Sequence, residues 1–248
     1  MTLNMTALRH PALCTARHRA IAICALVTVC VAILGSGALA QTVSPLIVEA
    51  TGKTSGKIEL SNNTLVPMAV VMQPKSFDID EEGVGVYRPL DAGIHLKLSA
   101  TSFLLQPQES QYVFYKVGAD KLPVWFTVYA TFESVQKNPG LKVRIMLPHT
   151  VYLYQKGAIG KEAIHVRESV YDRQHRKIIC EIENVSQSLI RVQAAQASGD
   201  KALVTIGGFP LLPNRPRHIE VEWKQRVPPE SLLLRFPHFV VKEPIKER

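Results

Sequence analysis

The chain has 248 residues, of which 46% are hydrophobic and 20% charged, with 14 Gly and 16 Pro. It is too apolar for a disordered protein, and it lacks the glycine content and period of a collagen. The formal net charge of +8 is spread without a Lys/Arg cluster. It reads as a solubility charge, and nucleic acid is not an expected partner.

Residues 1–19 carry Arg9, Arg17 and Arg19 and no acid. An apolar run follows from Ala20 to Leu34, then Gly35, Ser36, Gly37 and the small-residue site Ala38-Leu39-Ala40. Basic, then apolar, then small is the order of a secretory signal peptide, here residues 1–40, with cleavage expected before Gln41. The run is short for a bilayer span of ~20 residues. No later stretch is long enough to cross a membrane, so no stable insertion is expected after cleavage. Cys14, Cys24 and Cys30 fall in the signal, which leaves Cys180 alone. No intramolecular disulfide can then staple the exported chain. The neighbours Ile178, Ile179 and Ile182 predict a buried, inert thiol.

From residue 43 onward, apolar residues alternate in short segments. Ile58 and Leu60 bracket Glu59, and Ile94, Leu96 and Leu98 alternate with His95 and Lys97. Val113, Tyr115 and Val117 follow, then Val124, Phe126, Val128 and Ala130, then Leu141, Val143, Ile145 and Leu147. Later come Ile178/Cys180/Ile182, Ile190/Val192, Leu203 with its flanks, Ile219/Val221/Trp223 and the stretch 232–241. Period two puts one face in and one face out, as in strands. Turn signals such as Asn62-Asn63, Asn138-Pro139-Gly140, Ser198-Gly199-Asp200 and Pro213-Asn214 separate them. No amphipathic helix is expected after the signal.

Residues 157–161 read as a linker. They divide the exported chain into 41–158 and 159–248, each sized for one immunoglobulin-like β-sandwich. The predicted class is therefore all-β, with two such domains. A faint echo joins them: Ile58-Glu59-Leu60-Ser61-Asn62 resembles Cys180-Glu181-Ile182-Glu183-Asn184.

Chemistry is sparse. Asp78-Ile79-Asp80-Glu81-Glu82-Gly83 begins like a calcium loop, but its twelfth position is Pro89. A solvated acidic loop is the expectation. Arg215-Pro216-Arg217-His218 reads as a solvated basic turn. The His residues lack ligand spacing, and no nucleophile motif is present. Asn62-Asn63-Thr64 and Asn184-Val185-Ser186 match the glycosylation sequon and read as turn residues. Trp125 and Trp223 read as core or interface aromatics. No enzyme, metal or cofactor is expected.

In order, these segments resemble the periplasmic pilus (fimbrial) assembly chaperone family. The matching pieces are Val43-Ser44-Pro45-Leu46-Ile47-Val48, Ile58–Asn62, Phe103-Leu104-Leu105-Gln106-Pro107-Gln108-Glu109-Ser110-Gln111, Leu122-Pro123 with Phe126-Thr127-Val128, and Val143–Leu147 with Val151-Tyr152-Leu153-Tyr154. The resemblance implies a periplasmic chaperone that lends a β-strand to the open groove of an exported pilin-like subunit. It implies Leu141, Val143, Ile145 and Leu147 as the subunit-binding residues, and an outer-membrane usher as a further partner. The family anchors the subunit's carboxylate with an Arg and a Lys. Those positions hold Leu46 and Tyr152 here. Lys156 is a candidate substitute, as are Arg167 and Arg191. Pro148 interrupts the donor-like strand after Leu147 and has no N–H for a ladder.

Two readings of 141–147 stay open, since the same alternation also suits a strand facing its own core. The competing function is a non-chaperone secreted interaction module of an envelope or surface assembly. An envelope hydrolase has the weakest support.

Overall fold

The alternating segments become strands within residues 40–135 and 143–248, which a computed structural model describes. In chain order the first ten are β1 (Gln41–Ser44), β2 (Ile47–Thr51), β3 (Thr54–Asn62), β4 (Met68–Ile79), β5 (Gly85–Pro89), β6 (Ile94–Leu98), β7 (Ser102–Leu105), β8 (Glu109–Ala119), β9 (Val124–Ser134) and β10 (Arg144–Tyr154). One sheet has the order β1-β3-β8-β6; the other has β2-β10-β9-β4-β5, with β7 also on β4. The inward residues of the two sheets meet in one core. Ile58, Leu60, Val70, Leu105, Phe126, Phe132 and Leu153 are fully buried in it.

A 3-10 turn at Lys161–Ala163 leads into β11 (Ile164–Asp172), β12 (Lys177–Asn184), β13 (Ile190–Gly199), β14 (Ala202–Leu211), β15 (Pro216–Glu222), β16 (Ser231–Arg235), β17 (Val240–Pro244) and β18 (Lys246–Glu247). These form the sheets β15-β12-β11-β18 and β14-β13-β16-β17. Ile178, Cys180, Ile182, Val192, Trp223 and Leu232 are buried between them. Trp223 satisfies its indole N–H on the Val227 carbonyl at 2.6 Å. Burial, followed by the carboxylates of Glu243, Glu181 and Glu168, pushes the Cys180 thiol up to about 12. A thiol so protonated is a core residue and not a nucleophile. The fold is all-β, made of two immunoglobulin-like sandwiches.

The sequence echo has a physical cause. Asn62 ends β3 fully buried, and its amide donates to the carbonyls of Val66, Leu105 and Gln106 at 2.8, 3.2 and 3.0 Å. Its carbonyl accepts the Thr64 N–H and hydroxyl at 3.1 and 2.6 Å. Asn184 ends β12 in the same way. Its amide donates to Ser188 and Leu211, at 2.6 and 3.1 Å, and its carbonyl accepts the N–H and hydroxyl of Ser186. Each sequon is thus a knot that turns the chain and caps buried carbonyls. Fully buried side chains of this kind are not glycan acceptors.

Asn62→Ala leaves those carbonyls without a donor, at a cost of about 2–3 kcal/mol. Urea unfolding will show this as a lower midpoint with an unchanged slope. The exposed Lys201→Ala control is expected to stay within about 0.5 kcal/mol of the parent.

Candidate functional site

The first strand segment changes sheets partway along. β1 pairs with β3 in one sheet; after Pro45 the chain crosses, and β2 runs parallel to β10 in the other. That parallel pairing covers only Thr150–Tyr154 of β10, opposite Ile47–Thr51. On its other side β10 pairs with β9 from Arg144 to Leu153. Among the described residues, the first half of β10 therefore has one edge with no partner strand.

The direction of each backbone group follows from two bonds. The Thr150 N–H donates to the Leu46 carbonyl at 2.8 Å, and the Tyr154 carbonyl accepts the Gly52 N–H at 3.2 Å. Even-numbered residues thus face β2, and by alternation Arg144, Met146 and Pro148 face the open edge. This corrects the expectation that Pro148 interrupts the strand. β10 runs through it without a break, because the missing N–H falls on the side that has no ladder. Proline is tolerated on an edge for this reason.

The odd-numbered side chains point into the sandwich. Ile145 and Leu147 lie half-buried against its core, whereas Val143, just before the strand, is 53% exposed. Leu141 lies outside the described residues, as do positions 136–140. On the outer face Arg144 pairs with Glu133 at 3.2 Å, and Met146 is exposed. Leu46 is exposed at the crossing. Its contribution is a carbonyl to β10, not a charge.

His149 escaped the sequence reading, although its place in the series 145, 147, 149, 151, 153 marks it as inward. It is fully buried. Its Nδ1 lies 2.6 Å from the Pro45 carbonyl, so the ring donates from Nδ1. Among the described residues Nε2 has no hydrogen-bond partner, and the ring meets Tyr115 edge-on at 5.4 Å. Burial lowers its pKa against a smaller opposing effect of the Pro45 bond. The neutral ring ties β10 to the crossing of the first strand.

Past β2 the end of β10 enters the junction with the second sandwich. Tyr152 is buried there with Phe77, Leu189 and Leu212, and desolvation pushes its hydroxyl up to about 12. It is a packing residue of the junction. Trp125 joins the same cluster and donates to the Phe77 carbonyl at 2.7 Å. Tyr154 donates to Glu49 at 2.6 Å, and Arg191 of β13 reaches the same carboxylate at 3.9 Å. A cleft of about 200 Å³ opens beside them, lined in part by Tyr154, Gln155, Arg191 and His238. The Arg191 Nε is buried without a hydrogen-bond partner among the described residues. Lys156 is exposed just past β10. Arg167 is occupied by Glu181 and Glu183 on the face of the second sandwich.

Two segments expected to be solvated turn out to be partners. Arg215 pairs with Asp78 at 3.0 Å, and the His218 N–H donates to the Glu81 carbonyl at 2.8 Å. Gly83 has φ +93°, and a Cβ there would overlap the Arg217 guanidinium. The acidic loop of the first sandwich and the start of β15 thus dock on each other. Asp78 and Asp80 also hold the N–H groups of Ile79 and Val84. Among the described residues no group of three acid, His or Cys side chains is placed to hold a metal. No helix there is long and apolar enough to cross a membrane.

No protein-family model matches the chain, and no curated protein is significantly similar to it in sequence. Solved structures are similar in fold. The SafB chaperone, solved in complex with the Salmonella enterica SafA pilin, is 12% identical with a TM-score of 0.53; the match covers 85% of this chain and 98% of that one. The YadV chaperone is 10% identical with a TM-score of 0.51, over 81% of this chain and 92% of the other. The chain has the two-sandwich fold of these chaperones.

His149 makes stability depend on pH. Its folded pKa lies below the ordinary 6.5, so below that pH the unfolded chain binds the extra proton. Stability is full above about pH 6.5 and falls as the pH drops through that value. His149→Asn keeps a donor for Pro45 and removes the titration. Thermal melts from pH 7.5 to 5 are expected to show a shallower decline for this variant.

Proposed function

We propose that the protein is a periplasmic assembly chaperone, exported by the cleaved signal 1–40, that binds pilin-like subunits by strand addition. Residues 41–158 form the subunit-binding domain, and 159–248 form a second domain that buttresses it. The observation that carries this reading is the open edge of β10, flanked by Val143, Ile145 and Leu147. An added strand gains backbone bonds from Arg144, Met146 and the Pro148 carbonyl, while the apolar side chains fill alternate pockets of the subunit. Leu141 extends the same series. The fold shared with a chaperone solved on its pilin supports the assignment. The energy for release comes from subunit folding and strand exchange, so the function needs no cofactor and is not enzymatic. An outer-membrane usher is the receiver.

The aligned anchor positions, Leu46 and Tyr152, carry no charge. In this reading Lys156 or Arg191, at the cleft beside the end of β10, takes the subunit's terminal carboxylate. The uncharged anchors are also the observation that favours the second reading, a secreted interaction module without chaperone activity.

Affinity capture from the periplasm, with the chain expressed from its own signal, separates the two. A small exported β-rich subunit in stoichiometric complex is the expected catch. A large envelope assembly, or no subunit, supports the module. Val143→Asp changes an exposed side chain and Met146→Pro removes an edge N–H without touching the β9 ladder. Both variants are expected to melt like the parent yet lose about 2 kcal/mol of subunit binding, or ~30-fold in affinity. Unchanged capture by both variants would remove β10 as the donor strand.

A further inference from the structure

β14 ends its sheet, so among the described residues one side of its backbone has no neighbouring strand. The Glu230 N–H donates to the Ser198 carbonyl at 2.7 Å, so Ser198 faces β16, while Ala197 and Gly199 face β14. The register runs unbroken from Gly199↔Ala202 to Ala194↔Gly207. Alternation then aims the N–H and C=O of Leu203, Thr205 and Gly207 away from the sheet. The side chains of Ala202, Val204 and Ile206 pack on the core, whereas Leu203 is 59% exposed.

Proteins blunt free edges with charge. Every other described edge strand of five or more residues follows that rule: Glu49 on β2, Arg88 on β5, Lys97 on β6, Glu220 on β15 and Lys242 on β17. β14 reads Ala-Leu-Val-Thr-Ile-Gly-Gly-Phe-Pro-Leu and has no charge in its 10 residues. Its Pro210 lies beyond the open stretch.

We propose that β14 is a self-association edge, on which a second copy of this chain pairs antiparallel about a two-fold axis at Thr205. Two four-stranded sheets would then become one continuous sheet. The strand's composition selects the occupant. With no charge on the edge, two copies meet without like-charge repulsion. The axis also sets Leu203 of each copy opposite Gly207 of the other. A Cβ built on Gly207 meets nothing within 4 Å, so the exposed leucine finds open space over the glycine. Three paired positions exchange two backbone bonds each. The surface is separate from β10 and independent of the chaperone reading.

Sedimentation of the full chain, secreted with its own signal, is expected to show a mass rising from monomer to dimer with concentration. Thr205→Lys brings two ammonium groups together on the axis and weakens the dimer by about tenfold or more. Thr205→Cys places two thiols at the ~5.5 Å Cα spacing of a hydrogen-bonded pair, within disulfide reach. It is expected to give a covalent dimer in air, whereas Ser55→Cys, on the solvent face of β3, stays monomeric. A monomer at every concentration without cross-linking would overturn the proposal. So would a dimer indifferent to Thr205→Lys, which must use another edge. A monomeric parent whose subunit capture is lost in a folded Thr205→Lys protein would assign the edge to a different occupant, and that too would overturn it.

Discussion

A β-strand offers two rows of backbone groups, and among the described residues β10 fills both only along its second half. The cause is the crossing at Pro45. The chain spends β1 on one sheet and β2 on the other, and β2 reaches β10 only from Thr150 onward. Everything at the site depends on that shared first strand. It exposes the edge at Arg144 and Met146, leaves Ile145 and Leu147 half-covered, and places the Pro45 carbonyl where His149 can hold it. Closure of this edge by a longer β2 would yield an ordinary sandwich. The edge persists because the backbone leaves to serve another sheet.

The second constraint is the junction. Apolar packing of Phe77, Tyr152, Leu189 and Leu212 supplies contact, while Arg215–Asp78 and His218–Glu81 add directed bonds at the rim. The ion pair is largely exposed and contributes at most ~1 kcal/mol. Arg217 is different. Its Nε and Nη1 are buried under Gly83 without hydrogen-bond partners among the described residues, and desolvation, opposed by Asp80, lowers its pKa. A buried cation short of hydrogen bonds costs desolvation and is not a source of net stability at the junction.

Much of this was legible from alternation alone. Period two found β3, β6, β8, β9, β10 and most strands of the second sandwich, though not β4 or β11, and the isoleucines around Cys180 foretold its burial. The echo between Asn62 and Asn184 pointed to two similar units, but the knot itself was not legible, because hydrogen bonding to distant carbonyls such as Leu105 and Leu211 leaves no local pattern. The acidic stretch at 78–83 and the basic one at 215–218 each looked solvated, because a sequence window sees one at a time. Their meeting is a long-range contact. Pro148 misled for a related reason. Whether a proline breaks a ladder depends on which side its nitrogen faces, and that parity comes from the Thr150–Leu46 bond. The open edge itself follows from where the first strand stops pairing, which no residue type encodes.

The proline at 148 also gives the edge a grammar. Read from Arg144 toward Thr150, the open row runs donor and acceptor, donor and acceptor, then acceptor alone. Such a row is asymmetric. A strand laid along it in one frame leaves a buried carbonyl unanswered opposite residue 148; shifted or reversed, it strands a different group. The missing hydrogen therefore acts as a notch, distinguishing frames that a uniform edge would accept equally. A single imino acid can in this way set phase and polarity for whatever lies against the sheet, without a side chain touching it.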